Sequence, residues 1–236
     1  MDALLPARDP PLILFSGMGA DERVFAVLRD AFPTLVVPRW IAPLRSESLT
    51  SYSARFAKAL DPACPFYIGG ASFGGMVALE AARRVPNVLG CFLIGSIRSP
   101  LELPRRLRAL RAASGAAGLL PFGLLPGIAR CACSVLGRRA APAGMLRQAA
   151  ASDAEFLRWA CRAVLNWQPD PRPFSFPVHQ VHGGRDPILP HRLTHPDVLI
   201  PDGGHVLTLS HPTQVSGFIR RFMKRDAEAG HGAPDP

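Results

Sequence analysis

"YIGGASFGG", Tyr67 to Gly75, sets one serine among glycines directly behind a short apolar run. "CPFYIGGAS" reads as a strand, and "FGGMVALEAARRV" behind it as a helix that ends before Pro86. Gly70-Ala71-Ser72-Phe73-Gly74 therefore satisfies G-x-S-x-G with a strand before it and a helix after it, the placement that gives the motif a mechanism. A serine on so sharp a turn is forced into a strained backbone, and small neighbours let the two elements pass closely while its Oγ projects from the sheet edge. The helix N-terminus behind it favours developing negative charge. The competing reading is a glycine-rich turn whose serine merely caps the helix.

Working outward, "PLILF" at Pro11 to Phe15 is a buried strand, followed by a glycine turn, a capping Asp21 and a helical pattern. "TLVVP" is a second apolar run, and a helix is expected from about Ser48 to Leu60. "VLGCFLIG", "PVHQVHGG" and "DVLIPDGG" supply three more strands, and a helix over Thr213 to Met223 closes the pattern. Strands apolar on both faces, alternating with helices, imply an α/β fold: a mostly parallel sheet of about six strands, covered on both sides. The alternation breaks after Ile97. Residues 98–170 carry Gly- and Pro-broken helical pieces without a strand, and "SDAE" at Ser152 to Glu155 forms a capping box. The helix it starts has Phe156, Leu157, Ala160, Cys161, Val164 and Leu165 along one face. The expected organisation is a core of 1–97 and 171–225, a helical insertion over 98–170, and a disordered tail over 226–236.

With 236 residues, 48% of them hydrophobic, the chain suffices for one sizeable core. "PLILF" is too short for a signal-peptide core, and no run reaches the roughly 18–20 apolar residues of a membrane span. A cytoplasmic protein is expected. Of the five cysteines, Cys64, Cys91 and Cys161 sit in apolar contexts where a free thiol packs as a small hydrophobe. Cys131 and Cys133 form a lone C-x-C without a second pair at zinc spacing, so no metal is expected.

A serine hydroxyl is a poor nucleophile until a base takes its proton, which demands a histidine and a group to orient it. Asp186, in "HGGRDPILP", follows the fifth strand, and His205, in "PDGGHVLTLSHP", follows the sixth. Both emerge at the carboxyl edge that presents Ser72, where open α/β sheets build their sites. His179 and His182 lie within a strand and are expected to face the packed layer. His191, His195 and His211 fall in loops or on the approach to the last helix, and His231 falls in the tail. Asp202 is the rival acid, but its place before the loop glycines suits a turn, so Asp186 is favoured.

On "GASFG", "GGRDPILP" and "GGHVLTLSHP" the chain resembles the α/β-hydrolases over nearly its whole length apart from the insertion and tail. The resemblance implies Ser72 as nucleophile, Asp186 as the orienting acid and His205 as general base, with no metal or organic cofactor. It implies an oxyanion hole from the N–H of Phe73 and a second N–H from the loop after the first core strand. By alignment that second donor is Met18, with Ser16 where the family often has histidine. The expected activity is cleavage of a carboxylic ester or thioester through an acyl-enzyme. Acyl transfer, carbon–carbon hydrolysis on the same residues, or a silent ligand-binding protein are the alternatives.

The same resemblance makes the insertion a cap that sets which substrates enter. The formal charge is +9, Lys58 and Lys224 are the only lysines, and nine arginines stand against one acid, Glu102, between Arg98 and Arg147. Arg105, Arg106, Arg108 and Arg111 surround one short helix, with Arg130, Arg138, Arg139 and Arg147 beyond it. A solvated face is one reading; attraction of an acidic acyl carrier protein, a coenzyme A ester or an anionic membrane surface is the other. Nucleic acid is disfavoured, since Leu and Ala rather than stacking residues interleave the basic run. Phe156, Leu157, Trp159 and "GLLPFGLLPGIA" are candidates to line an acyl pocket, or else pack on the core. In layout the chain is similar to the esterases that act on pimeloyl carrier-protein methyl ester in biotin synthesis.

Overall fold

A computed structural model of the chain describes residues 9–60, 64–114 and 154–230. Its strands are β1 (Leu12–Phe15), β2 (Leu35–Val36), β3 (Phe66–Ala71), β4 (Val88–Ile94), β5 (Val178–Gly183) and β6 (Val198–Ile200). They form one six-stranded sheet in the order β2-β1-β3-β4-β5-β6, every pair parallel. Seven helices accompany them among the described residues: α1 (Ala26–Ala31), α2 (Leu49–Ala59), α3 (Phe73–Ala82), α4 (Arg105–Ser114), α5 (Ala154–Leu165), α6 (Leu207–Ser210) and α7 (Pro212–Gly230).

The continuous apolar strands follow from cover on both faces. Ile13, Phe15, Ile68, Cys91 and Leu93 point to one side and pack with α2, α3 and α5. Leu12, Leu14, Tyr67, Phe92, Ile94 and Val181 point to the other and meet Leu28 of α1 and Val215, Phe218, Ile219 and Phe222 of α7. Each Leu, Ile, Val or Phe side chain so buried contributes about 1.5–3 kcal/mol. The strand order reverses between β1 and β3, which leaves a crevice at their carboxyl ends.

Several boundaries differ from the sequence reading. β2 shrinks to two residues, because it is the edge strand and Val36 is 52% exposed. Asp21 does cap, accepting from Arg23 N, but it opens a 3-10 turn over Glu22–Phe25 before α1 begins. Cys64 is exposed, not packed as a small hydrophobe. α7 continues to Gly230, past the boundary drawn at 225, so 226–230 are helical and not a disordered tail. The cause is an anchor: Asp226 meets His179 Nε2 at 2.9 Å, and the His179 ring stacks on Phe222 at 4.3 Å. The capping box at Ser152, "GLLPFGLLPGIA", Cys131, Cys133 and Arg130, Arg138, Arg139 and Arg147 lie outside the described residues. No helix among the described residues is long and apolar enough to cross a membrane.

Candidate active site

Ser72 stands between β3 and α3 with φ 52° and ψ −119°, a left-handed conformation that costs an ordinary residue about 1–3 kcal/mol. Its neighbours hold it there. Ser72 N donates to Ile94 O at 3.0 Å, and its carbonyl accepts from Ser96 Oγ at 2.6 Å. The turn is open only to small residues: a Cβ on Gly70 would lie 2.5 Å from the carbonyl carbon of Gly74, and one on Gly74 would lie 2.6 Å from that of Phe15. The G-x-S-x-G spacing is thus a packing requirement between β1, β3 and α3.

Two loops from the far half of the chain arrive opposite that serine. His205 Nε2 lies 2.9 Å from Ser72 Oγ, and His205 Nδ1 lies 2.7 Å from Asp186 Oδ2. A carboxylate can only accept, so Nδ1 carries the hydrogen and Nε2 is left to accept from the hydroxyl. Asp186 Oδ1 accepts from Ile188 N at 2.8 Å and Leu189 N at 3.0 Å. Burial pushes the Asp186 carboxyl upward, but hydrogen bonds from His182, His205 and the Leu189 N–H outweigh it and hold the group well below the usual carboxylate range. The arrangement combines a hydroxyl, a base that can take its proton, and an anion that steadies the resulting imidazolium.

The loop after β1 closes the crevice. Ser16 Oγ donates to Ala20 O at 2.8 Å and Ala20 N donates to Gly17 O at 3.0 Å, so this serine ties a tight turn. Gly17 faces the sharp β3–Ser72–α3 elbow, a Cβ there falling 3.9 Å from Ser72 Cβ. Met18 follows, with its Sδ 3.7 Å from Cys161 Sγ of α5. Phe73 is the first residue of α3, where backbone N–H groups have no intrahelical acceptor.

The remaining sequence candidates spread out. Trp159 is buried in an aromatic cluster, 4.2 Å from the Tyr52 ring centroid, and its indole N–H donates to Glu47 O at 2.8 Å. Arg105 and Arg108 are exposed on α4, which also contains Arg111. Arg106 Nη2 donates to Pro187 O at 3.2 Å, tying α4 to the loop that carries Asp186. Asp202, the rival acid, lies 3.4 Å from His211 Nε2 rather than beside His205. Two supports were missed. Ser96 braces the Ser72 carbonyl, and its position after β4 gave no signal. His182 does face a packed layer, but its Nε2 also lies 3.3 Å from Asp186 Oδ2. The spacing of four between the two was the available clue.

A parallel sheet with its order reversed at β1 and β3, a strained serine at that crevice and a helix behind it define the α/β-hydrolase fold. Residues 6–217 match the profile of the alpha/beta hydrolase family, and the chain belongs to that family. Among solved structures, an esterase from Thermogutta terrifontis is 20% identical over 92% of this chain and 90% of its own, with a TM-score of 0.62. A hydrolase from Pseudomonas aeruginosa is 18% identical over 92% and 91%, with a TM-score of 0.66. A thioesterase of the prodiginine pathway of Streptomyces coelicolor is 19% identical over 93% and 95%, with a TM-score of 0.58. No curated protein sequence matches the chain.

Proposed function

We propose that the protein is a serine hydrolase that cleaves carboxylic esters or thioesters through an acyl-enzyme. Ser72 Oγ attacks the acyl carbon as His205 Nε2 takes its proton, and the tetrahedral oxyanion is held by the N–H groups of Phe73 and Met18. The imidazolium, steadied by Asp186, returns the proton to the departing alcohol or thiol. Water activated by the same imidazole then releases the acid. The observation that carries this reading is the pair of contacts at His205, 2.9 Å to the serine and 2.7 Å to the carboxylate. The esterase and thioesterase among the structural neighbours support the bond type.

The exposed Arg105 and Arg108 on α4 favour an acyl group borne on an anionic carrier, a coenzyme A ester or an acidic acyl carrier protein. Free thiols at Cys64, Cys91 and Cys161 suit a reducing compartment, and the cytoplasm is the proposed location. The test is hydrolysis of p-nitrophenyl esters from acetate to decanoate by wild type and Ser72→Ala, together with labelling by a fluorophosphonate. Turnover and labelling that vanish in the variant support the reading. Equal rates for the two proteins would sink it, and the crevice would then be a binding site. Competition by an acidic acyl carrier protein at low salt, relieved by added salt, checks the carrier.

A further inference from the structure

We propose that His182 is a positioning residue for the Asp186–His205 pair, a second imidazole N–H that fixes the carboxylate on which the base depends; this rests on the serine-hydrolase reading. His182 lies on β5 with its side chain wholly buried, as is that of Asp186. Its Nε2 faces Leu189 O at 2.6 Å and Asp186 Oδ2 at 3.3 Å. Both neighbours are acceptors, so Nε2 carries the hydrogen, which Leu189 O receives, with the Asp186 carboxylate beside it in reach of the same positive N–H end. Its other nitrogen faces Thr194 Oγ1 at 3.5 Å.

The contacts form a closed ring. Leu189 gives its N–H to Asp186 Oδ1 at 3.0 Å while its carbonyl receives the His182 N–H. The carboxylate therefore has two donors on Oδ1, from Ile188 and Leu189, and on Oδ2 the donor His205, with the His182 Nε2 as a second, longer contact at 3.3 Å. With the His182 contact removed from Oδ2, only His205 itself would fix the group about its Cβ–Cγ bond on that side. The role needs no contact with substrate: His182 holds Asp186, and Asp186 holds the ring that takes the serine proton. A histidine that served only to satisfy the Leu189 carbonyl would leave that chain untouched.

The charged groups around His182 are Asp186 and, from the segment after β4, Glu102 with Arg98. Burial pushes the Glu102 carboxyl up, opposed by the Arg98 N–H and guanidinium and by a hydrogen bond from Gln180. Arg98 is committed to Gln180 Oε1 at 2.6 Å and Asp197 Oδ2 at 2.9 Å. Removing the His182 donor concentrates the Asp186 charge on His205, which stabilises its imidazolium. The acidic limb of the rate profile, set by the need for neutral His205, then moves to higher pH.

The test compares His182→Leu, which has no donor, with His182→Gln, whose side-chain N–H₂ reaches the same point. His182→Leu should lower kcat about tenfold or more, as expected for a hydrogen bond to a charged group, with KM within about twofold and the acidic limb shifted upward. His182→Gln should recover most of the rate and the original limb. The low-field proton resonance of the His205 Nδ1–H should move in His182→Leu and return in His182→Gln. Should the leucine variant fail to fold, His182→Asn, too short to reach the carboxylate, replaces it.

An unmoved resonance and pH profile in the donor-free variant would overturn the proposal. So would equal losses in both variants without recovery in glutamine. If wild type neither turns over esters nor takes the fluorophosphonate, the hydrolase reading fails, while the resonance still reports whether His182 orients the Asp186–His205 contact.

Discussion

Replacing Gly74 by alanine puts one methyl group into the tightest seam of the molecule. The added carbon would lie 2.6 Å from the Phe15 carbonyl carbon and closer still to the carbonyl oxygens of Phe15 and Ser16. Ordinary contact begins near 3.4 Å, and the obstacles are backbone atoms that no rotamer change can clear. The end of β1 must therefore retreat from α3 by about 1 Å. Overpacking of this kind costs about 1–3 kcal/mol, a fall in Tm of roughly 2–12 °C at this chain length. The displaced strand end leads directly through Ser16 and Gly17 to Met18, so the shift passes into the loop facing Ser72. A misplacement of about 1 Å at reacting groups costs on the order of a hundredfold in rate. Calorimetry and p-nitrophenyl ester kinetics on Gly74→Ala, beside a Gly217→Ala control, measure both effects. Gly217 is exposed on α7 with nothing within 4 Å of a Cβ, so alanine there should leave kcat alone and stabilise by up to about 1 kcal/mol. A Gly74→Ala enzyme with kcat within twofold of wild type and an unchanged Tm would refute the coupling between seam and loop.

Asp186→Asn should reduce kcat by about 10³–10⁴ while leaving the fold intact, because the amide offers His205 Nδ1 a donor in one orientation and no charge in either. The Asp186 carboxyl titrates below its usual range when folded, so its stabilising contribution is complete above the unfolded value of about 4 and is lost as pH falls through the lower folded one. Acid unfolding curves should accordingly be shallower below about pH 4 in the asparagine variant. Trp167→Phe removes the indole N–H that meets Glu80 Oε1 at 2.9 Å, leaving a carboxylate only 1% exposed with Arg84 at 3.2 Å as its remaining ionic partner. Denaturant titration should show a loss of about 1.5–3 kcal/mol. Trp159→Phe keeps an aromatic ring but loses the bond to Glu47 O together with part of the buried indole, and urea unfolding should register a loss of at least about 0.5–1.5 kcal/mol.

The elbow, the sheet and the meeting of Ser72 with Asp186 and His205 were legible because each rests on local chemistry. Apolar runs marked strands buried on both faces, and a serine between glycines marked a turn where no Cβ fits. The supports were less legible because they are made across the sheet. Nothing local to His182 distinguishes a buried strand histidine from one that shares its hydrogen with a carboxylate four residues on. The same holds for α7: past Met223 the sequence turns polar, and only His179, from β5, explains why Asp226 remains on a helix. Cys64 misled in the opposite direction, since apolar neighbours in sequence did not enclose it in space.

Phe73 is held to two unrelated demands at once. Its N–H opens α3 beside Ser72, while its ring meets Phe156 and Trp159 edge-on at 6.1 and 6.0 Å. α5 is thus bolted through its aromatic rings to the residue adjoining Ser72, so that any displacement of this helix pulls on the start of α3. Recombination that exchanges segments among related chains would meet this as a boundary: a crossover upstream of Ala154 leaves the bolt intact, whereas one that replaces α5 must bring its own aromatic pair or disturb the Ser72 turn.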